Sequence, residues 1–301
     1  KDNTNFSIDL NKHTIRSFYN DWLFENNGTL SIIDSNTSEQ GTIYNNIGKL
    51  FKNNGTLELN NINIYSVNKN SYNGTNFLKN RIIENNNELK INKLNTNITT
   101  SAEAIYNNEN ATTTINDSTL GLDAKIVNDN IMNVNNTTIN GGNLINNSGK
   151  TLNMDKFIAY MDVNNYGIYN SNGSSYTSSF SNNSGGVFVS KGDKYTINIT
   201  NSGQLDLYDV TVSGNNWMNN KNTGIMNIYS GTIFGVYNAN TSTSNIYDGT
   251  ISRISNNDQA TVNFIGGVVN SSYNSIENSG TGIVNIGIKD GTVNLDSPTI
   301  I

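Results

Sequence analysis

Residues 227–233 read Asn-Ile-Tyr-Ser-Gly-Thr-Ile, and the phrase returns as Asn-Ile-Tyr-Asp-Gly-Thr-Ile at 245–251 and as Asn-Phe-Ile-Gly-Gly-Val-Val at 263–269. Each copy begins 18 residues after the one before it, and a looser copy begins at Asn285. Apolar and polar residues alternate within a copy, which is the period of a β-strand. The Gly follows where a tight corner requires a left-handed conformation. Short strands at a fixed repeat predict a solenoid.

A second phrase precedes these copies along most of the chain. It reads Leu-Phe-Glu-Asn-Asn-Gly-Thr-Leu at 23–30 and Leu-Phe-Lys-Asn-Asn-Gly-Thr-Leu at 50–57. A unit this short cannot bury its own apolar face, so stacked units must share an inner column of Ile, Leu and Val. We therefore expect an all-β solenoid of about a dozen coils that forms one domain over 1–301, with a cap or first coil at 1–26 and with inserted loops.

Asparagine makes up about a fifth of the chain. Asparagines at one corner of successive coils can stack so that each amide hydrogen-bonds the next. The aligned phrases place five of them in such a column, namely Asn26, Asn53, Asn85, Asn108 and Asn147. Codon bias in an AT-rich genome would also raise the Asn content, and both explanations stay open.

Charge and composition exclude several classes of protein. Acidic residues outnumber basic ones by 24 to 18 and the net charge is −6, whereas nucleic-acid binders need an excess of Lys and Arg. No apolar run approaches the roughly 18 residues of a membrane span. The chain has no Cys and only His13, which argues against zinc sites, disulfide scaffolds and Cys-His catalysis. We expect no cofactor, no metal, no nucleic acid and no membrane insertion.

Residues 8–15, Ile-Asp-Leu-Asn-Lys-His-Thr-Ile, and the later run Gly-Thr-Ile at 41–43 resemble coils of right-handed parallel β-helices. The Asn-Ile-Tyr-x-Gly-Thr-Ile copies resemble those of repetitive, adhesin-like surface proteins of Firmicutes and related bacteria, within the wider pectate-lyase-like superfamily. The resemblance spans nearly the whole chain and implies a right-handed parallel β-helix cut from a larger surface protein. Because this superfamily also contains enzymes and phage tailspikes, the fold alone does not select a function.

Acidic residues are the first place to look for catalysis on such a fold, because glycosidases use paired carboxylates. The aligned repeats put Asp34, Asp117, Asp209 and Asp248 in one column together with Asn, Lys and Ser. Such a mixture is typical of a corner that selects turn residues. We therefore predict no catalytic residues.

Aromatic residues are the candidate ligand contacts. Tyr208, Tyr229 and Tyr247 share one column next to inward apolar residues, so alternation should point them outward, one above another. Aromatic rings beside amides and hydroxyls can hold sugars, although Tyr also stacks along sheets simply to stabilise them. Inserted segments at 64–81, 170–195 and 215–222 contribute the remaining candidates, Tyr72, Tyr176 and Trp217.

These patterns favour an extracellular adhesin on the bacterial cell surface. We expect it to bind an extracellular glycan or a host surface protein and to be monomeric. A polysaccharide lyase or hydrolase, a phage tailspike and a passive surface stalk are the alternatives.

Overall fold

A computed structural model describes residues 4–17, 21–45, 49–67, 81–99, 103–270, 275–287 and 294–296. These residues form strands, turns and bends and contain no helix. The chain divides into two compact units, Lys1–Asp162 and Val163–Ile301, which together hold about 13 turns of a parallel β-solenoid. The all-β solenoid is therefore confirmed, and the single domain expected over 1–301 stays a prediction.

One turn of the solenoid consists of three strands. In the first unit, Thr56–Asn60, Asn63–Val67 and Arg81–Asn85 follow one another, and Glu88–Asn92 then pairs in parallel with Thr56–Asn60. We call the three rows of strands the first, second and third faces.

The strands of each face are as follows, in chain order. The first face contains Asn5–Asp9, Thr29–Ile33, Thr56–Asn60, Glu88–Asn92, Thr112–Asn116, Ile131–Asn135 and Thr151–Asp155 in the first unit, and Ile168–Asn172, Val187–Lys191, Gln204–Tyr208, Ile225–Ile228, Thr243–Ile246, Thr261–Phe264 and Ile283–Ile286 in the second. The second face contains Thr14–Ser17, Thr42–Asn45, Asn63–Val67, Asn95–Thr99, Thr119–Leu122, Ser175–Tyr176, Lys194–Tyr195, Val268–Asn270 and Asn294–Asp296. The third face contains Phe24–Asn26, Phe51–Asn53, Arg81–Asn85, Glu103–Asn107, Lys125–Asn128, Phe180–Asn182, Ile199–Asn201 and Ile276–Asn278. Five longer strands run from the second face into the third, namely Thr138–Asn146, Ile158–Asn165, Val210–Asn220, Gly231–Asn238 and Thr250–Asn256.

The register between successive turns pairs apolar residues with apolar residues. Leu57 pairs with Leu30 and Leu89, and Leu59 pairs with Ile32 and Ile91. These side chains point inward and are buried, because alternate residues of a strand face opposite sides of the sheet. In the second unit the inward residues include Leu205, Leu207, Met226, Ile228, Ile246 and Val262.

The corner between the first and second faces explains the mixed column of Asp, Asn and Lys. Its residues adopt a positive φ, which Asn and Asp tolerate better than most residues. They are Asn61, Lys93, Asp117, Asn136 and Lys156 in the first unit and Asp209 in the second. Asp117 and Asp209 therefore occupy positions that favour turn residues. The other two carboxylates of the expected column, Asp34 and Asp248, do not share the positive φ and instead accept hydrogen bonds from the backbone N–H groups of Gly41 and Gly249.

The corner between the third and first faces holds buried asparagines. In the first unit each amide donates to the next along Asn26, Asn53, Asn85, Asn107, Asn128 and Asn146, with N···O distances of 2.7–3.0 Å. In the second unit the same ladder runs through Asn165, Asn182, Asn201, Asn220, Asn238, Asn256 and Asn278.

The predicted ladder is confirmed, but two of its five residues were wrong by one position. Asn107 pairs with Asn85, and Asn146 pairs with Asn128, in place of the expected Asn108 and Asn147. The cause is that Ile105 pairs with Ile83, which pairs with Phe51, so Ile105 occupies the second apolar position of the phrase and not the first. Ile126 and Leu144 continue the same register. The phrase therefore begins one residue earlier than the apolar pair Ile105-Tyr106 indicated.

One of the expected inserted loops consists of regular strands, and another belongs to a strand whose register shifts between Val212 and Trp217. The segment 170–195 contains strands of all three faces, including Ser175–Tyr176, Phe180–Asn182 and Val187–Lys191. The segment 215–222 belongs mostly to strand Val210–Asn220. Most of the third expected loop, 64–81, lies outside the described residues, and with it Tyr72.

Candidate functional site

The tyrosine row consists of Tyr208, Tyr229 and Tyr247 on the outer side of the first face in the second unit. Tyr208 ends strand Gln204–Tyr208, and the other two follow directly after Ile225–Ile228 and Thr243–Ile246. Their ring centroids are 4.4 Å and 4.9 Å apart, with interplanar angles of 5° and 4°. The prediction that these rings stack outward, one above another, is confirmed.

The stacking changes what these rings can offer to a ligand. Centroid distances near the strand spacing of about 4.8 Å mean that each ring covers the face of its neighbour. The pKa of the Tyr229 hydroxyl is raised by desolvation and by the neighbouring Tyr208. The expected stacking of a sugar on the flat faces of these rings is therefore blocked within the row. Ring edges and hydroxyls are the available groups, and Tyr247 is 40% exposed.

An amide row runs beside the tyrosine row, two residues earlier on each strand. Asn227 donates to Asp206, Asn245 to Asn227, Asn263 to Asn245 and Asn285 to Asn263, with N···O distances of 2.7–2.8 Å. An amide has two N–H donors and two acceptor lone pairs. The row uses one donor and one acceptor of each inner amide, which leaves the second donor and lone pair for a ligand.

Charged side chains lie beside both the first and the last tyrosine of the row. Lys191 pairs with Tyr208 in the strand register, and its Nζ lies 5.8 Å from the centre of that ring. The Asp206 carboxylate accepts from the Gln204 amide at 2.8 Å and from Asn227. The exposed Asp248 follows Tyr247. Within the rows themselves the other turns carry uncharged amides and phenols, which suit hydroxyl-rich ligands.

The tryptophan cluster, made of Trp217, Phe234, Gly235, Arg253 and Glu277, lies on the third face and its edge in the second unit. Strand pairing places Gly235 beside Trp217 and Arg253 beside Gly235. A Cβ at position 235 would lie 2.5, 2.6 and 2.8 Å from Cε3, Cδ2 and Cζ3 of Trp217. Such similar distances put that point over the face of the indole, so the ring lies flat on the bare backbone of Gly235.

Polar and aromatic groups surround this indole. The Phe234 ring meets it edge-on at 5.8 Å, and the Arg253 guanidinium lies 5.8 Å from its centre. Arg253 Nη2 donates to Glu277 Oε1 at 2.9 Å, and the two side chains are 40% and 37% exposed. The backbone N–H of Trp217 donates to Asn198 Oδ1 at 2.7 Å, which fixes the strand beneath the ring.

Tyr176 does not lie at the surface, so its expected contact with a ligand is wrong. It lies on strand Ser175–Tyr176, its side chain is buried, and its ring stacks on Tyr195 at 5.1 Å. Its hydroxyl shares hydrogen bonds with Tyr169 and Ser171 at 3.0 and 2.7 Å. In the sequence, Tyr176 stands among Ser and Asn residues, which is typical of a loop. In the structure its side chain points inward and its hydroxyl is hydrogen-bonded inside the solenoid.

Asp193 is a buried carboxyl next to this cluster. Its Oδ2 accepts from the Ser190 hydroxyl at 2.7 Å, and its Oδ1 accepts from the backbone N–H of Ser174 at 2.7 Å. Burial raises its pKa, and the hydrogen bonds offset part of that rise. No sequence pattern pointed to this residue, since an Asp after Gly192 is typical of an exposed turn.

The other acids and the single histidine are described by their surroundings. Within the described ranges no cluster of three or more His, Cys, Asp or Glu residues could hold a metal ion. Asp34 serves the backbone: burial raises its pKa, but the N–H groups of Lys12, Asn36 and Gly41 donate to it and hold that pKa below its usual value. His13 is exposed on the turn before Thr14–Ser17.

Comparison with protein families, curated proteins and solved structures found no match for this chain. Among the described residues, no helix has the length and apolar character to cross a membrane.

Proposed function

We propose that this chain is part of an extracellular bacterial adhesin that binds a glycan through the outer first face of its second unit. The observation that carries the proposal is the pairing of the tyrosine row with the amide row over successive turns. A chain of sugar residues lying along these rows would meet a hydroxyl, a ring edge and a free amide donor and acceptor at each turn.

The fold supports the proposal without selecting it. A parallel solenoid of about 13 turns is compatible with a β-helix, and we propose the right-handed adhesin-like class, within the pectate-lyase-like superfamily, that the repeats resemble. The surface location follows from this proposed class. A passive stalk is the competing function, because the same tyrosine stack would also stabilise a rod that binds nothing.

A glycan array with the purified chain tests the proposal. The matched variant replaces Tyr208, Tyr229 and Tyr247 together by Phe, which keeps the ring stack and removes three hydroxyls. We expect the bound glycan class to lose about tenfold or more in affinity, since each hydrogen bond is worth roughly 0.5–1.5 kcal/mol.

Tyr160→Phe is the control, because Tyr160 is 51% exposed and lies in the first unit. Loss in the triple variant alone supports the proposal. Absence of glycan binding, or equal binding by the triple variant, overturns it, and capture of a host surface protein would replace it with a protein-binding adhesin.

A further inference from the structure

We infer that the tryptophan cluster is a separate binding site for one neutral pyranose ring, stacked on the outer face of Trp217. This inference rests on the proposed function in assuming a glycan ligand, but it uses a different face and different residues.

The first argument is the orientation of the indole. A Cβ at position 235 would project away from the core, because the next residue, Val236, points inward and is buried. The indole covers that outward position and therefore turns one face to the sheet and the other to solvent. Among the residues that the structure describes, Trp217 has no parallel aromatic ring over it, unlike the rings of the tyrosine row: Phe234 meets it at 88°, and the Arg253 guanidinium lies over the ring at 5.8 Å from its centre. A flat indole supported on one face and partly exposed is a surface on which the C–H face of a sugar packs.

The second argument is the chain insertion next to this ring. Between the paired positions Val212–Ile233 and Trp217–Gly235, the strand carries residues 213–216, whereas its neighbour carries only Phe234. Gly214 adopts a φ of +70° there, and Asn216 folds back to donate to the Ser213 carbonyl at 2.6 Å. An insertion that breaks the register of a solenoid is typical of a binding face. This one directly precedes Trp217 in the chain.

The third argument is the charge balance. Arg253, whose guanidinium lies 5.8 Å from the centre of the indole, offers N–H donors and its partner Glu277 offers acceptors, yet the two neutralise each other through their 2.9 Å contact. Donors and acceptors together suit sugar hydroxyls, which do both. An acidic sugar would have to compete with Glu277 for the guanidinium and meet a net charge of −6 on the chain. The site therefore favours a neutral pyranose.

Fluorescence reports directly on this site, because Trp22 and Trp217 are the two tryptophans of the chain. In a Trp22→Phe background we would titrate cellohexaose, mannohexaose and xylohexaose and follow the emission of Trp217. We expect at least one of these neutral oligosaccharides to shift the emission with saturation. The acidic oligosaccharide pentagalacturonate should give at least a tenfold weaker response.

Two variants separate the site from a general loss of structure. Trp217→Ala should abolish binding of the active oligosaccharide in calorimetry. Gly235→Ala keeps the indole but pushes a methyl group into the ring, so it should weaken binding at least fivefold while far-UV circular dichroism stays unchanged. Tyr160→Ala, in the other unit, should bind like the parent chain.

The outcomes distinguish this site from the tyrosine row. Binding lost in Trp217→Ala but kept in the triple Tyr→Phe variant supports this inference and leaves the first-face site to its own glycan-array test. The reverse result overturns this inference alone. No response of Trp217 to any neutral probe, or binding only of pentagalacturonate, also overturns it.

Discussion

Each buried asparagine of the ladder satisfies backbone groups of two turns as well as its neighbour's amide. Asn220 accepts from Asn201 at 2.8 Å and donates to Asn238 at 3.0 Å and to the Thr243 carbonyl at 2.8 Å. The Asn220 side chain is buried. If it were removed, its hydrogen-bonding partners would have neither a protein partner nor water. This is why Asn, rather than Ser or Asp, recurs at the corner: an uncharged amide carries two N–H donors and a separate acceptor oxygen, whereas Ser has a single O–H donor and an ionised Asp has none.

Replacing Asn220 by Ala should destabilise the second unit by about 2–3 kcal/mol, since it strands buried acceptors and donors on both neighbouring turns. Asn219→Ala is the matched control, because that side chain points outward and should change stability by less than about 0.5 kcal/mol. Urea denaturation followed by circular dichroism measures both variants. Equal stability of the two would contradict a structural role for the ladder.

The corners account for the repeat that is visible in the sequence. Gly231, Gly249 and Gly267 adopt φ values of +133°, +112° and +97°, and a Cβ on Gly249 would lie 2.8 Å from the Gly231 carbonyl oxygen. Both the dihedral angle and the close backbone approach require glycine at each turn. The Gly in Asn-Ile-Tyr-x-Gly-Thr-Ile was therefore a reliable marker of the corner, and the strands on either side of it were predicted correctly.

Sequence reasoning was limited where register or burial depends on neighbouring turns. The tyrosine row was predictable, because its members recur at nearly equal spacing next to inward apolar residues. The contacts of Trp217 with Gly235 and Arg253 were not, because the insertion at 213–216 shifts the alignment. Tyr176 was misplaced for a related reason: its hydroxyl is satisfied by Ser171 and Tyr169 within the core, a pairing that no local pattern reveals.

The buried corner that holds Asp193 should make the second unit respond to pH. Three buried tyrosines, Tyr169, Tyr176 and Tyr195, and the hydroxyls of Ser171 and Ser190 face this carboxyl, and no cation among the described residues pairs with it. Its pKa in the folded state is raised by burial. The stability that the protonated carboxyl contributes is therefore complete below the unfolded pKa of about 3.9 and is lost as pH rises through the folded pKa.

Asp193→Asn keeps the shape and stays neutral, so it should gain stability relative to the parent chain as pH rises from about 4 to 7. Urea midpoints of both proteins across that range measure the difference. Other carboxyls, such as Asp34 with its lowered pKa, titrate in both proteins and cancel. A stability difference that does not change with pH would contradict a raised pKa at Asp193.

The polar side chains of this chain are mostly uncharged amides and hydroxyls, whereas charged side chains are more common in most proteins. Only 14% of the residues are charged, against about 25% in typical domains. The ion pairs found among the described residues lie at the surface, with side chains 20–52% exposed, and Arg81 takes part in two of them. Surface pairs of this kind are worth about 0–1 kcal/mol each, so buried amide ladders and apolar packing supply most of the stability.

The free energy of unfolding should therefore depend little on salt. Raising NaCl from about 0.05 M to 1 M shortens the screening length from more than 10 Å to about 3 Å, which weakens both the surface pairs and the repulsion within a chain of net charge −6. Because the two effects are small and opposite, we expect the free energy of unfolding in urea to change by less than about 1 kcal/mol. Arg81→Met serves as the control, since its loss of the Glu84 and Glu103 contacts should remove whatever salt dependence the largest ion cluster contributes. A salt-induced loss of several kcal/mol in the parent chain, absent in Arg81→Met, would show instead that ion pairs hold this solenoid together.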